Sequence, residues 1–203
     1  MGENMKKGLI VLVSLLSLSS MLFAKEVKVK RVGAEESKDL SGKWNDNDVQ
    51  IVCNELIEKC ISSPRIARFE SENGRAPVVI IGRIKNESDE LLDTSIVAKR
   101  LQTAILNSGI LEFVASSNER TEIREEKFDQ AEHASMETAK AIDNEEGADF
   151  IMQGSVKAIV ETAGKESFKT YDVTLTLTNI ETNRLVWQEQ ATVRKYIKSK
   201  KKR

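Results

Sequence analysis

Residues 147–155 (GADFIMQGS) contain the residue types of a small catalytic or phosphate-binding site: two glycines, an aspartate and a serine. A phosphate-binding loop needs a strand, a glycine-rich loop and then a helix, so that helical N–H groups point at the anion. Here the order is reversed, because a helical pattern precedes Gly147 and a strand-like alternation begins at Phe150. We therefore predict a structural joint between a helix and a strand, with Gly147 in the left-handed conformation.

The other groups that could carry catalysis are one histidine and three acidic clusters. His133 is the only histidine, so the sequence offers no Ser-His-Asp triad and no three-histidine zinc site. The acidic clusters fall at predicted helix ends or loops, where solvated or capping carboxylates are usual: Asp46 and Asp48; Glu87, Asp89 and Glu90; Asp143, Glu145 and Glu146. Only 5% of the chain is aromatic, which disfavours a sugar-binding cleft. We predict no catalytic residue, no metal and no cofactor.

Cys53 and Cys60 lie seven positions apart in residues 48–61, whose apolar side chains recur at helical spacing. Seven helical residues separate two Cα atoms by roughly 10 Å, whereas a disulfide bond spans at most about 7 Å. We therefore predict two half-buried thiols on one helix and no disulfide bond between them.

The first residues of the chain have the pattern of an export signal. Lys6 and Lys7 precede the apolar run 8–18 (GLIVLVSLLSL), and Ala24 stands before the charged Lys25. We predict a signal peptide over residues 1–24, cleaved between Ala24 and Lys25, and no membrane span in the mature form; retention of this segment as a membrane anchor is the alternative. The formal net charge of −1 disfavours nucleic acid as the main partner, because phosphate binding needs an excess of basic residues.

Apolar periodicity predicts a β-α-β-α unit followed by three antiparallel strands. The first predicted elements are a strand at 78–84 covered on both faces, a helix from Asp93 to Gly109 and a strand at 111–115. A charged helix follows, which a Ser116–Glu119 capping box begins and which buries only Ile123, Phe128 and Ala131. A short helix capped by Ser135 and three strands from Phe150 complete the prediction. This order predicts an α/β (α+β) two-layer sandwich, with a mixed sheet, a C-terminal three-stranded antiparallel meander and helices mainly on one face. A short linker (25–39) precedes the domain (40–195), and a basic tail (196–203) follows it.

Four stretches of the chain resemble the LpoB family: 74–94 (GRAPVVIIGRIKNESDELLDT), 113–130 (FVASSNERTEIREEKFDQ), 144–159 (NEEGADFIMQGSVKAI) and 179–188 (NIETNRLVWQ). Residues 40–49 (LSGKWNDNDV) are also similar to the start of that domain. The resemblance implies a fold similar to the TolB N-terminal domain and a non-enzymatic protein that activates a peptidoglycan synthase. The order of elements is also similar to the CsgG family of curli secretion proteins, so a role in secretion or envelope assembly is the alternative.

The resemblance implies a bifunctional penicillin-binding protein as the partner. Its contacts are expected on exposed loops and on the charged helix. The candidate contact residues are Arg83, Lys85, Asn86, Arg120 and Arg124. LpoB proteins are anchored in the outer membrane through a lipidated cysteine, whereas this chain has Ala24-Lys25 at that place. We therefore expect the protein to diffuse freely in the periplasm.

The absence of a cysteine at the predicted cleavage site gives the first testable prediction. The mature protein should begin near Lys25 and be recovered in the soluble fraction of the cell envelope. Mass spectrometry of the N-terminal peptide from native cells measures this directly. A diacylglyceryl-modified or uncleaved N-terminus, recovered with membranes, would contradict it.

Overall fold

The computed structural model describes residues 41–134 and 145–198, except for the side chains of Ser117 and Asn118. The predicted signal peptide, the whole predicted linker, the short helix after Ser135 and Asp143 lie outside these residues. The elements of the described part are helices α1 (Asp46–Ile61), α2 (Pro64–Asn73), α3 (Thr94–Ser108) and α4 (Ser117–His133), and strands β1 (Val78–Asn86), β2 (Glu112–Phe113), β3 (Phe150–Ala163), β4 (Glu166–Asn179) and β5 (Leu185–Lys198). Strand β5 therefore includes three residues of the predicted basic tail.

The strands form one mixed sheet in the order β2-β1-β3-β4-β5. Strands β2, β1 and β3 run parallel, whereas β3, β4 and β5 form an antiparallel meander of three 14-residue strands. This architecture confirms the predicted fold class. The second strand is shorter than predicted and comprises only Glu112 and Phe113. The Val114 N–H still donates to the Val79 carbonyl oxygen of β1 at 3.2 Å, and the capping box of α4 begins two residues later at Ser116.

Local hydrogen bonds cap the starts of three helices, and those of α3 and α4 were predicted from the sequence. Asn45 and Asp48 form a capping box at the start of α1, and Ser116 and Glu119 form another at the start of α4. The Asp93 side chain accepts from the Ser95 N–H at the start of α3, which ends at Gly109 with φ of 64°. These interactions satisfy backbone groups that a helix end leaves unpaired.

Helix α2 was not predicted from the sequence. Its boundaries carry ordinary signals: Ser63 caps it, Pro64 occupies the first turn, and Gly74 ends it with φ of 66°. Its only buried residue is Ile66, so no apolar stripe marks it in the sequence. A helix that lies on the edge of the core lacks the periodicity on which the prediction depended.

The core lies between one face of the sheet and helices α1, α2 and α3. The inward side chains of the meander form rows across its strands: Met152–Leu177–Trp187 and Val156–Val173–Ala191. Leu56 of α1, Ile66 of α2 and Leu101 of α3 pack in the same cluster and are at most 2% exposed. Burial of one such side chain contributes about 1.5–3 kcal/mol. The helices therefore cover one face, as predicted.

Cys53 and Cys60 are both free and lie in this core. They are 1% and 0% exposed, so they are more deeply buried than the half-buried thiols predicted. Burial raises the pKa of each thiol to about 12, and for Cys53 the charge of Arg100 opposes that rise. The reactive thiolate form is therefore suppressed at neutral pH.

A buried ion pair joins the first helix to the last strand. The Nζ of Lys195 in β5 lies 2.6 Å from Oδ2 of Asp48 in α1, with side chains 6% and 3% exposed. Lys195 also donates to the carbonyl oxygen of Lys43 at 2.9 Å. The same Asp48 oxygen accepts the backbone N–H of Asn45 at 2.9 Å, so one carboxylate both caps α1 and pairs with β5.

Gly147 does not have the predicted left-handed conformation. Among the described residues, positive φ occurs at Gly74, Gly109, Gly164 and Asn183, and the space beside Gly147 is open. The constrained glycine of the segment is Gly154 in β3, where an added Cβ would lie 2.3 Å from the Thr174 carbonyl oxygen. The sequence does not mark this position, because the close approach comes from the neighbouring strand β4.

The predicted burial on α4 is also wrong. Ile123 and Phe128 are 46% and 58% exposed, and Ala131 is exposed as well. This highly charged helix is tied to α3 by the Lys99–Glu119 ion pair at 2.7 Å. Hydrogen bonds from Lys99 and Ser116 lower the pKa of Glu119 to about 2. Polar contacts therefore attach this end of α4.

Gly154→Ala is predicted to destabilise the domain, because its Cβ meets backbone that cannot move without disturbing the β3–β4 pairing. Overpacking of this kind costs about 1–3 kcal/mol, which corresponds to a fall in Tm of roughly 3–10 °C for a domain of this size. Thermal unfolding measures the change. Gly147→Ala is the matched control and should not lower Tm, since nothing lies within 4 Å of its Cβ position. Equal Tm values for both variants would show that β4 accommodates the added methyl group.

Lys195→Met is predicted to destabilise the domain by about 3–5 kcal/mol, because it leaves the Asp48 carboxylate buried without its cation. Urea unfolding at neutral pH measures the loss. Lys198→Met on the same strand removes the exposed Lys198–Glu166 pair, whose side chains are 66% and 49% exposed, and should change stability little. If both variants have the same free energy of unfolding, water reaches Asp48 and the Asp48–Lys195 pair contributes no more stability than an exposed pair.

Candidate partner-binding surface

Outward side chains of four strands form a polar surface that we call the open sheet face. It comprises Arg83, Lys85, Gln153, Ser155, Thr174, Thr176, Gln188 and Gln190. One row of this surface runs from Lys85 through Ser155 and Thr174 to Gln190, as the strand register places them side by side. The threonines suit this position, because β-branched side chains favour strands and their hydroxyl groups tolerate water.

The expectation that both faces of β1 are covered is wrong for the second half of the strand. Its register against β3 shifts between Ile81 and Ile84, which is typical of a β-bulge. Ile84 is buried on the helix side, whereas Arg83 and Lys85 are exposed on the other side. After Gly82, therefore, only the helix-facing side of β1 is apolar, and the other side carries exposed cations.

Arg83 and Lys85 are two cations without an internal partner. Neither side chain makes an ion pair or a hydrogen bond with the described part of the chain. They line a shallow cavity of about 270 Å³ together with Gln153, Thr174 and Thr176. A partner with acidic side chains can approach these groups without breaking any bond within this protein.

Asn86, by contrast, has its side chain occupied by the loop that follows β1. Its Nδ2 donates to the Glu90 carbonyl oxygen at 2.6 Å, and its Oδ1 accepts from the N–H and the hydroxyl of Ser88 at 3.0 and 2.7 Å. The Glu90 carboxylate in turn accepts from Lys169 and Tyr171. Burial would raise the pKa of Glu90, but these two hydrogen bonds lower it below its usual value. Asn86 therefore shapes the loop.

The candidate arginines of α4 have other surroundings. Arg124 binds Glu145 through two hydrogen bonds of 2.7 and 2.8 Å, which raise the pKa of Arg124 and lower that of Glu145. Arg120 is half-buried. Within the described ranges, no hydrogen bond or ion pair joins Arg83 or Lys85 to α4. Arg83 and Lys85 line one cavity, whose lining does not include Asn86, Arg120 or Arg124.

Asp149 has a structural role in the segment that first suggested chemistry. Arg75 donates to both of its oxygens at 2.7 Å, and its Oδ2 also accepts the N–H of Val78 at 2.8 Å. Burial would raise the pKa of Asp149, but the Arg75 and Val78 hydrogen bonds lower it. This carboxylate therefore holds the start of β3 against the start of β1.

The other proposed acidic clusters are largely neutralised by cations. The ion pairs are Asp46–Arg100, Asp48–Lys195, Glu87–Lys157, Glu90–Lys169 and Glu145–Arg124. In residues 41–134 and 145–198, no group of three or more His, Cys, Asp or Glu side chains is arranged to hold a metal ion. No helix in these ranges is long and apolar enough to cross a membrane. The six uncharged polar residues of the open sheet face were not predicted, because strand alternation does not show which face of a sheet stays uncovered.

Comparison with known proteins identifies the family. The family model of the peptidoglycan-synthase activator LpoB matches residues 48–193. Among solved structures, the LpoB C-terminal domain from Salmonella enterica is 14% identical with a TM-score of 0.45, and that from Escherichia coli is 13% identical with the same TM-score. Each match covers 72% of this chain and 98% of the matched domain. No curated protein sequence matches the chain. Because the family model spans well over half of its length, the chain belongs to the LpoB family of peptidoglycan-synthase activators.

Proposed function

We propose that this protein binds a bifunctional penicillin-binding protein in the periplasm and raises its rate of glycan polymerisation and cross-linking without catalysing a reaction itself. The match of the LpoB family model to residues 48–193 carries this proposal. That range includes all four described helices except the first two residues of α1, and the whole sheet except the last five residues of β5. Export by a signal peptide cleaved before Lys25 is part of the same proposal.

The continuous pairing of β3 with β4 supports a role in binding. Strands β3 and β4 pair without a register shift from Phe150–Asn179 to Ala163–Glu166. A surface carried by such a sheet is ordered before the partner arrives, so little conformational entropy is lost on binding. The open sheet face is therefore a suitable platform for a partner.

We place the synthase contact on the open sheet face around Arg83 and Lys85. These cations are exposed and unpaired, so an acidic partner surface gains their attraction without breaking an internal ion pair. Binding through Arg124 would compete with its two hydrogen bonds to Glu145. This difference favours β1 over α4 as the main contact.

The mature protein, residues 25–203, should bind a bifunctional penicillin-binding protein from the same cell with micromolar or tighter affinity, about −8 kcal/mol or better. Polymerisation of lipid II by that enzyme should accelerate in proportion to the complex formed. The double variant Arg83→Glu/Lys85→Glu should weaken binding about tenfold or more, or about 1.4 kcal/mol, because it replaces two attractions with repulsions. Surface plasmon resonance and a polymerisation assay measure the two effects.

Two further variants locate the contact. Lys43→Glu/Lys165→Glu makes the same change in charge at exposed positions outside the open sheet face and should leave affinity unchanged. Arg120→Glu/Arg124→Glu tests α4, and a larger loss in that variant would move the contact there. A folded monomer that binds no penicillin-binding protein of the host would overturn the activator proposal. Ring assemblies in size-exclusion chromatography, or co-purification with a secreted protein, would favour the secretion alternative.

A further inference from the structure

A pocket of about 320 Å³ lies between α2 and the turn that joins β4 to β5. Its apolar floor is formed by Ile66, Phe69, Phe150 and Val186. The volume is at the lower end of the range for small-ligand sites, about 300–1,000 Å³. Phe150 lies on the helix-covered face of the sheet, so this pocket and the open sheet face are on opposite sides of the sheet.

The aromatic floor is held in place by surrounding contacts. The rings of Phe69 and Phe150 pack edge to face with centroids 5.2 Å apart. The guanidinium of Arg75 lies 5.4 Å from the centroid of the Phe69 ring and is itself fixed by its two hydrogen bonds to Asp149. The floor is therefore ordered before any ligand arrives, which lowers the entropic cost of binding.

The rim of the pocket carries an excess of positive charge. Arg68 is paired with Glu72 at 2.7 Å, so these two charges offset each other. Arg65 and Arg184 are exposed, and their guanidinium groups make no hydrogen bond or ion pair with the described residues. Two uncompensated guanidinium groups beside an apolar floor favour a ligand that combines a carboxylate with an apolar group, because guanidinium matches carboxylate geometry.

The β4–β5 turn that positions Arg184 is also ordered. The Asn179 Oδ1 accepts from both the N–H and the hydroxyl of Thr182 at 2.7 Å, and the Asn179 N–H donates to the Arg184 carbonyl oxygen at 2.9 Å. Asn183 takes a positive φ of 57°, which asparagine tolerates better than most residues. Local hydrogen bonds therefore hold the start of β5 beside α2.

We propose that this pocket binds an acidic peptide segment of a partner protein, with an apolar side chain on the Phe69–Phe150 floor and a carboxylate at Arg65 and Arg184. Both arginines lie at the solvent-exposed rim, so a peptide can continue out of the pocket along the surface. The pocket is too small to take more than one or two side chains, which fits a short anchoring motif. The proposal does not depend on synthase activation, because it uses residues on the other side of the sheet.

Titration of the ¹⁵N-labelled mature chain with acetyl-Glu-Leu-Glu-amide tests the site by NMR. We expect shifts centred on the amides of Arg65, Phe69 and Arg184, with a Kd in the millimolar range, as is usual for so small a ligand. The matched peptide acetyl-Gln-Leu-Gln-amide should bind at least fivefold more weakly. Arg65→Gln/Arg184→Gln should weaken binding of the acidic peptide about tenfold, whereas Lys43→Gln/Lys165→Gln, which removes two charges at exposed positions outside the pocket, should leave it unchanged.

Four results would overturn the proposal. One is an absence of shifts at about 10 mM peptide, and another is equal affinity for the acidic and the glutamine peptides. The third is an equal loss in both double variants, since that would indicate general attraction to a cationic surface. Binding to purified peptidoglycan that Arg65→Gln/Arg184→Gln abolishes, without acidic-peptide binding, would assign the pocket to the wall polymer instead. None of these results bears on the synthase assay, so the two proposals fail separately.

Discussion

The Asp48–Lys195 ion pair connects the two ends of the domain, because α1 is its first element and β5 its last. The meander strands extend beyond the apolar core, so polar and charged side chains face inward at their far end. Along the inward face of β4, the buried Leu177, Leu175 and Val173 give way to Tyr171 and then Lys169. Charges buried at this end of the sheet are costly unless each has a counterion, and Asp48 and Glu90 supply them.

These polar contacts also fix the register of the sheet. Lys195 lies opposite Lys169 across β4 and β5. A shift of β5 by two residues would separate Lys195 from Asp48, and the same shift of β4 would separate Lys169 from Glu90. A shift of one residue would move the apolar rows to the solvent side. The register in turn aligns Lys85, Ser155, Thr174 and Gln190 in one row on the opposite face. The order of the open sheet face is therefore a consequence of interactions on the buried face.

The residues of segment 147–155 that first suggested a catalytic site have structural roles. Asp149 is engaged by Arg75 and Val78, and Gly154 is required by the close approach of Thr174. The same Arg75 supports the Phe69 ring on the floor of the cationic pocket. Residues that resemble a catalytic motif thus stabilise the sheet and, through it, the surfaces available to partners.

Local patterns in the sequence were enough to predict the ends of α3, the capping box of α4, the helix that carries both cysteines and the three-stranded meander, together with the fold class. Each depends on hydrogen bonds within a few residues or on apolar periodicity along one element. Other features were decided only by the tertiary structure: the constraint at Gly154 rather than Gly147, the exposure of Phe128, the pairing of Asp48 with Lys195 and the uncovered face around Arg83. They arise between residues far apart in the chain, and they depend on strand register and on which face of the sheet the helices cover. No local pattern encodes either.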